Sequence, residues 1–221
     1  DGTDPENREA SYFLSANRNK KSVCIDMASS RGQEIIRELA RTSDVVVENF
    51  KTGGLAKYGL DADSLRRSHP GLIYCSITGF GQTGPYAALP GYDLLIQAMG
   101  GLMSVTGVPD GQPGAGPMKV GVALVDILTG LYAANAIQAA LLHRERTGEG
   151  QVIDVALLDT LVAAMANQSQ GFLATGESPG RMGNAHPSIV PYDVFPTADG
   201  HIVLAVGNDL QFADLCQRIG L

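Results

Sequence analysis

Cysteine is scarce in this chain: only Cys24, Cys75 and Cys216 occur in 221 residues. Three widely spaced thiols exclude a disulfide framework and any cysteine-based zinc or redox motif. A reduced, cytoplasmic chain is the simple reading. Basic charge is short as well, with 16 Lys+Arg against 23 Asp+Glu and a net charge of −7. That balance argues against a nucleic-acid binder relying on a general basic surface. No uninterrupted apolar run approaches the ~20 residues of a membrane span. The longest uncharged stretch, Ile127 to Leu142, is broken by Thr129, Gly130, Asn135 and Gln138, so no membrane partner is expected. His69, His143, His186 and His201 show no metal spacing. The phosphate-binding P-loop, the G-x-S-x-G elbow and H-E-x-x-H are absent, and no G-x-G-x-x-G is read after a strand. Nucleotide hydrolysis, dehydrogenation, serine hydrolysis and zinc chemistry therefore lose their usual signatures.

What is present is glycine, 27 residues of it, against an average near ~7%, together with a regular alternation of helix and strand signals. Ser29 or Ser30 can cap a helix carrying Ile35, Ile36 and Leu39 on one face. Asp44 to Phe50 is a β-branched run of the kind found in buried parallel strands. A helical segment around Asp63 to Ser68 precedes a strand over Gly71 to Gly79, and Tyr92 to Met103 reads as one helix. The strongest helix, Ile127 to Arg146, is apolar all round, which predicts burial on every side. Gln151 to Ala156 reads as a strand, with Asp159 as the cap of the helix after it. Pro191 to Pro196 and His201 to Val206 flank the turn residues Thr197-Ala198-Asp199-Gly200, a hairpin signal. The pattern predicts an α/β layer fold, with a large domain over residues 1–177 and the start of a smaller one over residues 178–221. The polar opening Asp1–Asn7, without an initiator Met or a signal-peptide pattern, and the close at Leu221 inside a helix begun at Asn208 suggest a piece of something longer.

Asp126 is the residue that draws chemical attention. It stands alone as a charge in Gly121-Val122-Ala123-Leu124-Val125-Asp126-Ile127-Leu128-Thr129-Gly130, where the long helix opens. Desolvating a carboxylate there costs several kcal/mol unless something offsets it, and a helix N-terminus can. Two readings stand: a plain N-cap aspartate, or a partly dry carboxylate able to attack an activated acyl group. Arg18-Asn19-Lys20-Lys21 reads either as a solvated face or as a phosphate contact. Gly183-Asn184-Ala185-His186-Pro187 reads either as a plain loop or as a set of N–H groups presented to an oxyanion.

Taken in order, the segments resemble the class III CoA-transferase family, the group of formyl-CoA transferase and carnitine CoA-transferase. The matching pieces are Asn17 to Val23, Ile25-Asp26-Met27, Val46 to Phe50, Ser76 to Gly81, Pro90 to Asp93, Gly100 to Gly107, Asp126 to Gly130 and His143 to Gln151. The resemblance implies a Rossmann-like large domain plus a smaller α+β domain, as an incomplete segment of an interlocked homodimer. It places the family's nucleophilic aspartate on Asp126 and its CoA contacts on Ile25, Met27, Ala28, Asn49, Phe50, Lys57 and Tyr92. The active-site loop falls on Gly183, Asn184, Ala185 and His186. That loop departs from the longer glycine run of formyl-CoA transferases and is closer to the succinyl-CoA:dicarboxylate branch. The activity implied is transfer of CoA from an acyl-CoA to a small carboxylic acid. Coenzyme A is then substrate, and neither a permanently bound cofactor nor a metal is expected. α-Methylacyl-CoA racemases share the fold but need a His base where this chain has Tyr92, a poor base at neutral pH with its ordinary pKa near ~10. An inactive segment or CoA-binding remnant is the third possibility.

Overall fold

The computed structural model describes residues 10–221; the opening Asp1–Asn7 lies outside them. The helices are α1 (Ser11–Ala16), α2 (Ser30–Arg41), α3 (Ala62–Ser68), α4 (Asp93–Met99), α5 (Leu102–Val105), α6 (Leu124–Thr147), α7 (Leu157–Ala164), α8 (Ala166–Thr175) and α9 (Asp209–Ile219). The strands are β1 (Val45–Glu48), β2 (Ile73–Thr78), β3 (Val152–Ala156), β4 (Tyr192–Pro196) and β5 (His201–Ala205). Strands β1, β2 and β3 form a parallel sheet in that order, with Val45 opposite Ile73 and Tyr74 opposite Val152. Strands β4 and β5 form a separate antiparallel hairpin, with Val194 opposite Val203. The expected α/β class holds.

The central strand carries the core. Ile73, Tyr74 and Cys75 are buried in β2, as a continuous apolar run between two parallel neighbours requires. On one side Tyr74 joins Ala40, Leu55, Leu60, Leu65 and Leu72. Its hydroxyl donates to the carbonyl of Leu60 at 3.1 Å. On the other side Cys75 meets Ala133 of α6 and Val155 of β3. A third cluster, Ile96, Val125, Leu157 and Leu161, locks α4, α6 and α7 together. Local signals act where expected: Ser29 Oγ accepts from the N–H of Gly32, and Asn208 caps α9 by accepting from the N–H of Gln211.

Five expectations are corrected. Tyr92 to Met103 is not one helix, because the chain breaks at Gly100-Gly101, where Gly101 takes φ +89° and a Cβ on Gly100 would collide with Leu161. Helix α7 begins at Leu157, so Asp159 sits inside its first turn instead of capping it. Helix α9 ends at Ile219, before Leu221. Gly79-Phe80-Gly81-Gln82-Thr83-Gly84 does spell G-x-G-x-x-G directly after β2, but no helix follows until Asp93, so the helix N-terminus that a dinucleotide phosphate needs is missing there.

The fifth correction concerns α6. Only Val125, Thr129, Ala133 and Ala140 of this helix are buried, whereas Ile127, Leu131, Tyr132 and Leu142 are about half exposed. With 24 residues and a mean hydropathy of 1.4 over its most apolar window, it is long and apolar enough to cross a membrane by length and composition. Instead it packs against β2, β3, α4 and α7.

Candidate active site

The carboxyl ends of the parallel strands open into a cleft of about 820 Å³. Each strand delivers residues to it: Asn49, Phe50 and Lys51 follow β1, Ile77, Thr78 and Gly79 close β2, and Leu157 follows β3. Open α/β sheets place ligands at this end because the loops leaving the strands diverge there. The opposite wall is Tyr92 and Asp93, at the start of α4, with Asp126 and Thr129 from the first turns of α6.

Backbone packing builds this wall. Gly79 and Gly91 lie against each other so closely that a Cβ on either would overlap the backbone of the other. The chain around Gly91 is thereby drawn onto the end of β2, and Asp93 reaches α6. Asp93 Oδ1 accepts from the N–H of Val125 at 2.8 Å and from that of Asp126 at 3.4 Å. It therefore caps a helix that starts about thirty residues later in the chain.

That arrangement removes the plain N-cap reading of Asp126. The N-cap position belongs to Ala123, which makes no side-chain cap, and Asp126 is the third residue of α6. Capping comes from Asp93, and the Asp126 carboxylate, without a hydrogen-bond partner among the described residues, lies at the cleft wall near the positive end of the helix dipole. Burial of its inner side raises its pKa above the ordinary carboxylate value, and the negative charge of Asp93 raises it further. Among the described residues lining the cleft, Lys51 is the one cation, against Glu48, Asp93 and Asp126. Glu48 is itself engaged, accepting from the N–H of Phe50 at 2.7 Å.

Of the residues singled out from the sequence, Asp126, Asn49, Phe50 and Tyr92 line the same cleft. The others do not. Met27 packs against the core beside β2, and Ala28 donates its N–H to Asp26 within a turn. Ile25 is half-buried in the same segment. Lys57 lies exposed on a 3-10 turn, its Nζ 4.7 Å from the ring centre of Tyr58. The loop Gly183-Asn184-Ala185-His186 is tied to the loop after α5, since Arg181 donates Nε to the carbonyl of Val108 and pairs with Asp110. His186 accepts from the N–H of Ser188 and stacks near Tyr192. Arg18, Lys20 and Lys21 are exposed, which fits a solvated face and a phosphate contact equally. Asp93 and Lys51 carried no local signal of their role. Among the described residues no cluster of His, Cys, Asp or Glu is arranged to hold a metal.

Comparison with known proteins places this geometry. The family model for CoA-transferase family III matches residues 2–221. This chain belongs to CoA-transferase family III. It is 57% identical over 221 residues to the succinate–glutarate CoA-transferase of Agrobacterium fabrum, covering all of this chain and 54% of that protein. It is 46% identical to the succinyl-CoA:glutarate CoA-transferase of Mus musculus, covering 97% of this chain and 48% of that one. A crystal structure of a CaiB/BaiF family protein from Brucella suis superimposes with a TM-score of 0.85 at 54% identity, over 96% of this chain and 55% of that one. This family III chain thus spans about half the length of the curated relatives it matches.

Proposed function

We propose that the protein transfers CoA from succinyl-CoA to a dicarboxylic acid, with glutarate as the first acceptor to test, and that Asp126 is its nucleophile. The observation that carries the reading is the accessible Asp126 carboxylate, not used for capping, on the wall of a cleft at the strand ends, in a chain of this family. The names of its relatives support the substrate pair.

The chemistry is four acyl exchanges. An Asp126 oxygen attacks the thioester carbon of succinyl-CoA and expels CoA thiolate, leaving a mixed anhydride. The thiolate attacks the aspartyl carbonyl, releasing succinate and leaving an aspartyl–CoA thioester. The acceptor carboxylate attacks that thioester and expels thiolate again. The thiolate then attacks the acceptor's carbonyl of the second anhydride, giving the new acyl-CoA and a free Asp126. No step consumes or releases a proton, which suits a cleft without a histidine among its described lining residues. Splitting the transfer into covalent steps keeps each barrier modest.

In this reading Asn49, Phe50 and Tyr92 contact the pantetheine end of CoA, where they line the cleft. Ile25, Met27, Ala28 and Lys57 serve the distal end of CoA, outside it. The Gly183–His186 loop acts as a lid. Residues 178–221 begin a smaller domain, the protein works as a homodimer, and its three free thiols suit the cytoplasm.

The test is intact-mass spectrometry of the full-length protein after incubation with succinyl-CoA. The expected result is a CoA-sized, hydroxylamine-labile adduct on the peptide carrying Asp126. With CoA binding intact, absence of any adduct across several acyl-CoA donors overturns the assignment.

A further inference from the structure

The segment that leads into α6 is held by a side chain that does not line the cleft. Gln97, on α4, is fully buried. Its Nε2 donates to Asp93 Oδ2 at 2.6 Å, and its Oε1 accepts from the N–H of Val120 at 2.9 Å. The other oxygen of Asp93 accepts from the N–H groups of Val125 and Asp126. One carboxamide therefore grips both ends of the turn that presents Asp126: directly at Val120, and through Asp93 at the helix start.

We propose that Gln97 is a positioning residue for Asp126, acting through Asp93. The proposal rests on the reading of Asp126 as the nucleophile. A carboxamide donates from its nitrogen and accepts at its oxygen, so two separate atoms can hold two different groups; an ionised glutamate cannot donate, and an apolar residue does neither. Both halves are used here, and a buried amide without partners is costly. With Oδ2 held by Gln97, Asp93 keeps the rotamer in which Oδ1 meets the two amides. The carboxylate of Asp126 then faces the incoming thioester without a search. Displacing a reacting group by about 1 Å costs on the order of 100-fold in rate.

The test uses the full-length protein. Asp126→Ala comes first, and turnover that survives it overturns both this proposal and the nucleophile reading. With Asp126 established, Gln97→Met, which keeps the shape and removes both hydrogen bonds, is expected to lower kcat about 10- to 100-fold. KM for succinyl-CoA should stay within about two-fold, because Gln97 does not line the cleft. In an Asp93→Ala background the same change should cost much less than in the wild type, since the path through Asp93 is already cut and only the bond to Val120 remains. A lower melting temperature with unchanged kcat, or losses that multiply in the double variant, overturns the proposal and leaves the nucleophile in place. Gln97→Glu serves if Gln97→Met does not fold. It keeps the acceptor for Val120 but donates to Asp93 only while protonated, so its kcat should fall with rising pH where the wild type stays level. Parallel profiles would defeat the idea.

Discussion

Gly79 and Gly91 meet backbone to backbone, with no room for a side chain on either. The contact joins the end of β2 to the segment that carries Tyr92 and Asp93. Gly79 also accepts from the N–H of Leu158 at 3.1 Å, so three walls of the cleft converge on one residue. Replacing Gly91 by alanine forces the two stretches of chain apart. We expect a loss of about 1–3 kcal/mol in stability, as for other over-packed sites. CoA-transfer activity should fall further than stability, because Asp93 leaves α6. Thermal melting and steady-state kinetics on Gly91→Ala check this, and a wild-type protein by both measures refutes it.

The raised pKa of Asp126 bears on stability. A carboxylate whose folded pKa lies above its unfolded value is protonated more readily in the folded state. Between the two values stability falls as pH rises, and above the folded pKa the full cost of the ionised form remains. Burial is the larger cause and Asp93 the second. Asp126→Asn removes the charge, so it should melt higher than the wild type at neutral pH while losing CoA transfer. The gap should close as pH drops toward the ordinary carboxylate value of 3.8. A neutral-pH melting temperature at or below that of the wild type would count against the electrostatic account of the site.

Local chemistry in the sequence makes part of this structure legible. Val45-Val46-Val47 announces a parallel strand, although β1 lies at the sheet edge with none of its residues buried; Ser29 and Asn208 announce helix starts, and Thr197 to Gly200 announces the hairpin turn. Asp126 stands out because it is a lone charge in an apolar stretch. What reads poorly is whatever depends on distant partners. Asp93 caps α6 across 32 residues of chain, and nothing beside it in sequence marks that role. The exposed face of α6 is as apolar as the buried one, so composition alone could not choose between them. Helix α4 stops at Gly100-Gly101, where Gly101 turns left-handed, and position 100 must be glycine because Leu161, about sixty residues on, occupies the space a side chain would need.

Two of the three thiols, Cys75 and Cys24, should separate cleanly by reactivity. Cys75 is buried under α6, and burial, then the charges of Glu48 and Asp154, push its pKa up to about 11. Thiolate is the reactive form, so Cys75 should resist alkylation at pH 8 until the protein unfolds. Cys24 is exposed and should label first. Timed iodoacetamide labelling with peptide mapping measures both. Labelling of Cys75 at the rate of Cys24 in the native protein would show that β2 is not shielded.

Lys51 offers a way to ask what the cleft reads in the substrates proposed for it. Succinyl-CoA and glutarate share a free carboxylate remote from the reacting carbonyl, and Lys51 is the one cation among the described residues that line the cleft. An ammonium is a point charge suited to such a group. If it pairs with that carboxylate, Lys51→Ala should reduce kcat/KM for succinyl-CoA about ten-fold, the size of a charge-assisted hydrogen bond at a partly exposed site. Propionyl-CoA, which lacks the carboxylate, should be nearly unaffected, and glutarate should lose its advantage over butyrate as acceptor. An equal loss for every acyl-CoA gives the other answer: Lys51 then touches the CoA moiety itself, and selectivity for dicarboxylates arises elsewhere.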